Sequence, residues 1–288
     1  MSKTISPLRQ RMIDDMTFRN MSPSTHKVYT YAVAKFSAFH GRSPDKLGVE
    51  DVREYRLHLI ARGLKANSIN PIIGALRFFY GTTLGRKDIA EQLPFARQED
   101  TLPAVLTQDE VLRLLKAESN LKMRTAYTTI YAAGLRVSEV VALTIKDIDS
   151  TRKVIHIRQA KGRKDRYVML SEQLVNILRK YWKRKRLSGD VLFPGPKPNQ
   201  SITTRSVQRA FRDAADRAGL DEAVSPHTLR HSFATHLLEQ GVDIRVIQNL
   251  LGHSNINSTA RYARVAINTI RQIQSPLEQL DIELAESD

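Results

Sequence analysis

The sequence has 288 residues, 41% of them hydrophobic, which is enough for roughly two domains with their own cores and excludes a disordered chain or a mini-protein. Lysine and arginine number 45 against 30 acidic residues, so the formal net charge is +15 and a polyanionic partner is expected, with nucleic acid as the leading candidate. Cysteine is absent, which excludes disulfide bonds, thiolate catalysis and cysteine-type zinc sites.

A membrane surface would also attract this charge. However, the sequence holds no apolar run of about 18 residues, and its first residues lack the apolar core of a signal peptide. We therefore expect a soluble intracellular protein without a membrane partner. The histidines show no HExxH or similar ligand spacing, so we also expect no metal.

The first hundred residues predict a small helical module that is rich in lysine and arginine. Ser22 and Pro23 mark the start of one helix, and Gly41 is expected to end it. A second helix is predicted over residues 49–61, and a third from about Asn67. This part of the chain is a candidate for contact with nucleic acid.

A polar stretch between Pro94 and Pro103 breaks helix and carries no core residues. We place the domain boundary there. The prediction is an N-terminal domain over residues 1–97, a linker over 98–104 and a C-terminal domain over 105–288.

The second domain is predicted to begin with a helix, because Thr107 and Glu110 fit a capping box. Two β-rich runs, residues 154–157 and 167–170, flank the cationic segment 161–166, which indicates a hairpin with a basic tip. Helical patterns dominate again after this hairpin, so the fold class is mainly α with a small β-hairpin or sheet.

Two arginines are candidates for binding one phosphate group. His227 and Arg230 stand three residues apart after a Ser-Pro helix start, so one helical face offers an imidazole and a guanidinium to the same anion. Guanidinium groups match the nonbridging oxygens of a phosphodiester with paired hydrogen bonds. The second arginine is Arg136, which Glu139 can hold in place from three residues on; an ordinary surface ion pair is the alternative.

A phosphate site of this kind would serve a nucleophile and an acid. Tyr262 is a candidate nucleophile beside cationic groups that stabilise a phenolate, although most tyrosines only pack. Expelling a 5′ hydroxyl requires an acid, and Lys161 and Lys164 at the predicted tip qualify whereas arginine does not. The alternative is that the tip only touches DNA backbone. His253 follows a glycine that ends a helix, where a histidine usually hydrogen-bonds locally.

Taken together, these motifs resemble the signature of tyrosine recombinases, and they are closest to Xer-type recombinases and short integrases of mobile elements. The resemblance runs from the N-terminal module to about residue 266 and rests on these segments: 134–139, 161–162, 227–231, 250–254 and Tyr262. It implies a SAM-like core-binding helical domain and a mostly helical catalytic domain with a small sheet, forming a C-shaped clamp around the DNA duplex.

The resemblance also implies a reaction in which a tyrosine attacks the scissile phosphate to give a 3′-phosphotyrosyl enzyme, without a cofactor and without ATP. It assigns six catalytic residues: Tyr262 as the nucleophile, Arg136 and Arg230 on the nonbridging oxygens, Lys161 as the acid for the 5′ oxygen, His227 in proton transfer, and His253 as a hydrogen-bond donor to the phosphate. The implied partners are double-stranded DNA with an inverted-repeat core site and further recombinase subunits, either in a homotetramer or with a paired relative. The implied location is the cytoplasm, at the nucleoid.

The last residues predict a short acidic helix. Ser275 and Glu278 fit a capping box with Pro276 at the first helical position. Acidic side chains are repelled by the DNA backbone, so we expect this helix, over about 275–288, to dock into a neighbouring subunit as an oligomerisation element. Packing onto its own domain is the alternative.

Two other functions are open to the same residues. A type IB topoisomerase-like enzyme would use the same nucleophile and arginines but would leave the terminal helix without a purpose. A noncatalytic DNA-binding regulator would need the basic helices but not the aligned lysine, histidine and tyrosine. Among recombinases, the sequence does not separate chromosome dimer resolution from integration or transposition of a mobile element.

Overall fold

The computed structural model describes residues 5–97, 103–158, 165–185, 189–197 and 200–252. The chain divides into two compact units, Met1–Asp100 and Thr101–Asp288. Helices dominate, with one small sheet, which confirms the predicted fold class. No helix in the described ranges is long and apolar enough to cross a membrane.

The first unit is built from helices whose ends are encoded locally. They are α1 (Pro7–Phe18), α2 (Pro23–His40), α3 (Val49–Ala61), α4 (Ala66–Phe78) and α5 (Lys87–Glu91). The Ser22 hydroxyl accepts a hydrogen bond from the Thr25 amide at the start of α2, and Gly41 ends that helix in the left-handed conformation at φ 61°. The predicted limits of α2 and α3 are confirmed.

The core of this unit combines aliphatic side chains with several large aromatic ones. Phe36, Phe79 and Tyr80 are fully buried. The Tyr80 hydroxyl lies 3.0 Å from the carbonyl oxygen of Pro44 and 3.1 Å from that of Leu47, and it donates to this pair of acceptors. Burial raises the pKa of Tyr80 well above its ordinary value, so the phenol stays protonated and can hold the segment before α3.

The second unit combines helices with a three-stranded antiparallel sheet in the order β1-β2-β3. Its elements are α6 (Gln108–Ala117), α7 (Leu121–Ala133), α8 (Val137–Ala142), β1 (Ile148–Asp149), β2 (Val154–Ile157), β3 (Arg166–Met169), α9 (Glu172–Lys185), α10 (Thr204–Arg217), α11 (Pro226–Glu239) and α12 (Ile244–Leu251). The predicted capping box at the start of α6 is confirmed, since Thr107 and Glu110 each bond the other's backbone amide.

The predicted hairpin is formed by β2 and β3, with Ile155 opposite Val168 in the register. Alternate residues face the core, and Ile155, Ile157 and Val168 are buried. Strand β1 was not predicted, because two residues are too few to give a periodic pattern. The tip of the hairpin, most of the predicted linker 98–104 and the predicted terminal helix lie outside the described residues.

Helix α7 is the central packing element of the second unit, and it contacts α9, α10 and α11. Its Tyr127 and Ile130 are fully buried. It ends at Gly134, which adopts the left-handed conformation at φ 62° and turns the chain toward α8. A side chain at this position would collide with the Phe233 ring, because a Cβ atom would lie 2.5 Å from it. The candidate site begins at this turn.

Candidate active site

Arg136 and Glu139 stand together at the start of α8, as the spacing predicts. Glu139 Oε2 accepts the Arg136 backbone amide at 2.8 Å, and Glu139 Oε1 accepts Arg136 Nη1 at 2.7 Å. The carboxylate therefore caps the helix and binds the guanidinium with the same side chain. The side chain of Glu139 is 7% exposed and that of Arg136 is 19% exposed, so this is not an ordinary surface ion pair.

Arg230 lies on α11, which begins at Pro226 after the N-cap residue Ser225. Its side chain is buried, and its Nη1 donates to the carbonyl oxygen of Gly134 at 2.7 Å. Its Nη2 donates to the carbonyl oxygen of Leu251 at 2.6 Å. Nη1 also lies 3.6 Å from Glu139 Oε2. The guanidinium is thus fixed between the end of α7, the end of α12 and the carboxylate at the start of α8.

His227 lies one turn before Arg230, and more than a third of the residue is exposed. Desolvation by the surrounding protein, followed by the positive charges of Arg230 and Arg136, lowers the pKa of His227 below its ordinary value. The structure therefore brings Arg136, His227 and Arg230 together, as predicted. The lowered pKa favours the uncharged imidazole, which can accept a proton on one ring nitrogen.

Arg166, the first residue of β3, completes the site and was missed by the sequence analysis, which placed it in the cationic tip. Its Nη1 and Nη2 donate to Glu139 Oε1 and Oε2, each at 2.8 Å, in a two-pronged pair. Its Nε donates to the carbonyl oxygen of Leu250 at 2.9 Å. No local spacing could reveal this contact, because 27 residues separate Arg166 from Glu139.

Glu139 is the common partner of the three arginines, and we call Arg136, Arg166, Arg230 and Glu139 the arginine cluster. Burial alone would raise the pKa of Glu139, but hydrogen bonds and charge from Arg166 and Arg136 outweigh it and lower the pKa to about 2. The carboxylate is therefore ionised at neutral pH. Three guanidinium groups face one carboxylate, so the cluster keeps a net positive charge that suits an anionic ligand.

The other predicted site residues, Lys161, His253 and Tyr262, lie outside the described residues, as does the alternative acid Lys164. The described chain ends at Gly252, which closes α12 in the left-handed conformation at φ 61°. In the described ranges, no group of three or more His, Cys, Asp and Glu side chains is arranged to hold a metal ion.

The arrangement can bind a tetrahedral anion and stabilise added negative charge. Fixed guanidinium donors with a neutral imidazole beside them are the groups that phosphoryl transfer needs, because positioning and electrostatics supply most of its catalysis. Arg230 is already held by three protein groups, so little reorganisation is needed when an anion binds.

Comparisons with known proteins agree with this chemistry. The model of the phage integrase family matches residues 104–268, and that of the phage integrase N-terminal SAM-like domain matches residues 8–89. The protein y4qK of Sinorhizobium fredii, whose name proposes it as an integrase/recombinase, is 46% identical over 278 residues, covering 96% of this chain and 90% of the relative. Tyrosine recombinase XerA of Thermococcus kodakarensis is 35% identical over 264 residues, covering 90% and 91%. The crystal structure of a lambda integrase dimer bound to a COC′ core site shares the fold, with a TM-score of 0.72, 19% identity and coverage of 87% of this chain and 95% of that one.

Proposed function

We propose a mechanism for this chain on the premise that it belongs to the phage integrase family of tyrosine recombinases, enzymes that cleave and rejoin DNA. The chain is a site-specific recombinase that works through a covalent 3′-phosphotyrosyl intermediate. The observation that carries this proposal is the arginine cluster: Arg136 and Arg230 are fixed on one buried carboxylate and keep a net positive charge beside His227.

In the proposed reaction, the Tyr262 oxygen attacks the scissile phosphorus, and the bond from phosphorus to the 5′ oxygen breaks. Lys161 gives a proton to the departing 5′ oxygen, and His227 accepts the proton that leaves the Tyr262 hydroxyl. The reverse attack by a 5′ hydroxyl reseals the strand and frees Tyr262. The phosphotyrosyl bond keeps the energy of the broken bond, so the exchange uses neither ATP nor a cofactor.

Arg136 and Arg230 bind the nonbridging oxygens, and His253 donates a further hydrogen bond to the phosphate. Negative charge grows on these oxygens as the tyrosine attacks, so donors that are fixed beforehand lower the barrier. The buried position of Arg230 supports this role. A long flexible cation on an open surface would lose more side-chain entropy at each turnover.

The proposed partner is double-stranded DNA with an inverted-repeat core site. The net charge of +15 supports a polyanionic partner, and a structural neighbour is a dimer bound to a core site. We assign residues 1–97 to core-site binding, 98–104 to a linker and 105–288 to catalysis. We further propose that the helix predicted over about 275–288 joins subunits in a tetramer, or joins the chain to a paired recombinase, and that the complex works in the cytoplasm at the nucleoid.

The test is capture of the covalent intermediate. Wild-type protein, Tyr262→Phe and the matched control Tyr167→Phe are each expressed with host DNA, denatured and sequenced for the fragments that stay attached. Tyr167 is exposed on β3, so its hydroxyl should be dispensable. We expect one inverted-repeat site to be enriched with wild type and Tyr167→Phe, and no attached DNA with Tyr262→Phe. Attached DNA in Tyr262→Phe would contradict the assignment of the nucleophile.

A further inference from the structure

We propose that Arg166 is a positioning residue of this site, because its guanidinium joins Glu139 to the C-terminal end of α12 and thereby fixes the arginine pair that binds the phosphate. This inference rests on the proposed function. Arg166 is not itself a ligand of the DNA in this account. It acts through Glu139, whose carboxylate also accepts a hydrogen bond from Arg136 and lies 3.6 Å from Arg230 Nη1.

The contacts of Arg166 tie its guanidinium to two protein groups. Its three nitrogen atoms are all engaged, two on the Glu139 carboxylate and one on the Leu250 carbonyl oxygen. Its side chain is 9% exposed. Turning toward a phosphate would break its two-pronged pair with the buried Glu139 carboxylate, which costs free energy.

The end of α12 gives a second, independent observation. The last carbonyl groups of a helix lack partners within the helix and carry its negative dipole end. Here Arg166 donates a hydrogen bond to the carbonyl oxygen of Leu250, and Arg230 donates one to that of Leu251. Two guanidinium groups therefore bind successive carbonyl groups. Gly252 makes room for this, since a Cβ atom there would lie 3.0 Å from Arg166 Cδ.

The chain continues from Gly252 directly to His253 and then to Tyr262. The clamp on α12 therefore fixes the point from which both proposed catalytic residues depart, and the same guanidinium fixes Glu139. Loss of Arg166 leaves the Glu139 carboxylate without its two-pronged partner, and it removes the hydrogen bond to the Leu250 carbonyl at the end of α12. Both effects move groups that act in the chemical step, whereas contacts made elsewhere with DNA are untouched.

The geometry requires arginine and not merely a positive charge. A lysine ammonium is a single point, so it can approach one carboxylate oxygen or the Leu250 carbonyl, but it cannot make the two-pronged pair and the third bond together. Arg166→Lys is therefore an informative variant that keeps the charge, and Arg166→Met removes it. Arg113 is the matched control, because it forms an exposed ion pair with Glu110 at 3.8 Å within α6.

The experiment compares wild type, both Arg166 variants and the matching Arg113 variants on a duplex that carries the site recovered with wild type. Unfolding midpoint, DNA affinity and the rate of covalent adduct formation at saturating DNA are measured for each. A misplacement of catalytic groups by about 1 Å can cost roughly 100-fold in rate, so we expect about that loss for Arg166→Met and at least about 10-fold for Arg166→Lys. The affinity for DNA should change by less than about 3-fold, because many other cations bind the backbone.

A second substrate separates positioning from general damage. A methylphosphonate at the scissile position lacks one charged nonbridging oxygen, so it depends less on the arginine pair. If Arg166 acts through that pair, the fold-loss of its variants should shrink by about 10-fold on this substrate, while the Arg113 variants react like wild type on both.

Several outcomes would overturn the inference. They are wild-type rates for both Arg166 variants, equal losses on the two substrates, a loss confined to DNA affinity, or failure of both variants to fold. The last would make Arg166 a structural residue only. Failure of the proposed function is distinguishable, because wild type itself would then form no adduct on the phosphodiester, and the inference would fall with it.

Discussion

Glu139→Gln removes the one negative charge of the arginine cluster while keeping the shape of the side chain. Glu139 accepts four hydrogen bonds, two from Arg136 and two from Arg166, with two on each oxygen. In the glutamine variant one oxygen becomes an NH₂ group, which donates and cannot accept. Two of the four donors would then face another donor, and three guanidiniums would lie together without a carboxylate.

Two estimates of the cost agree. Breaking a buried ion pair by removing one partner typically costs about 3–5 kcal/mol. Independently, a fall of the Glu139 pKa from its ordinary 4.5 to about 2 corresponds to on the order of 3 kcal/mol. We therefore expect Glu139→Gln to lower the free energy of unfolding at pH 7 by about 3 kcal/mol, measured by urea denaturation.

The pH dependence of this loss is a sharper test than its size. The folded-state pKa of Glu139 lies below the unfolded-state value, so its stabilisation is full above pH 4.5 and is lost as the pH falls toward 2. The other carboxyl groups titrate in both proteins. The difference in unfolding free energy between wild type and Glu139→Gln should therefore hold steady from pH 7 to 5 and shrink below that.

The matched control is Glu172→Gln. Glu172 pairs with Lys153 at 2.8 Å, but both side chains are exposed, so the same substitution should leave the unfolding midpoint nearly unchanged. A difference below about 1 kcal/mol for Glu139→Gln at pH 7, or one that does not shrink in acid, would refute the role given to the buried carboxylate.

Two further predictions concern α11. Ser232 is fully buried, and its hydroxyl accepts a hydrogen bond from the Leu106 amide at 2.8 Å. Ser232→Ala would leave that amide without this partner, so it should lower the free energy of unfolding in urea by about 1–3 kcal/mol. A smaller loss would contradict the contact. Desolvation and the charges of Arg230 and Arg136 lower the pKa of His227, so the rate of adduct formation at sub-saturating DNA should decline in acid with a midpoint below 6.5, the ordinary pKa of the group. His227→Gln should remove that decline, and a wild-type midpoint at or above pH 6.5 would contradict the lowered pKa.

The elements that could be predicted from the sequence are those with local signals at their ends. Helix α2 has a Ser-Pro start and a glycine stop, and the start of α6 has a capping box between Thr107 and Glu110, so a few neighbouring residues determine each boundary. Strand β1 has two residues and forms an antiparallel pair with β2. Its existence depends on a partner strand rather than on any pattern of its own.

The same distinction holds in the site. The pair of Arg136 and Glu139 was predictable because three residues separate them on one helical turn. The bond from Arg166 to Glu139 joins β3 to α8, and that from Ser232 to Leu106 spans 126 residues. Such contacts are created by packing, and a cationic segment such as 161–166 does not reveal which of its members turns inward. The roles of Lys161, His253 and Tyr262 stay predictions.

Mapping the protein–DNA bond itself tests the proposed mechanism at its chemical step. Wild-type adduct is digested with nuclease and protease, and the nucleotide-bearing peptide is sequenced by mass spectrometry while the released DNA ends are labelled. We predict a nucleotide joined through its 3′ phosphate to Tyr262, with a free 5′ hydroxyl on the other strand end. A nucleotide on another residue, or a 5′-linked phosphate, would contradict the mechanism.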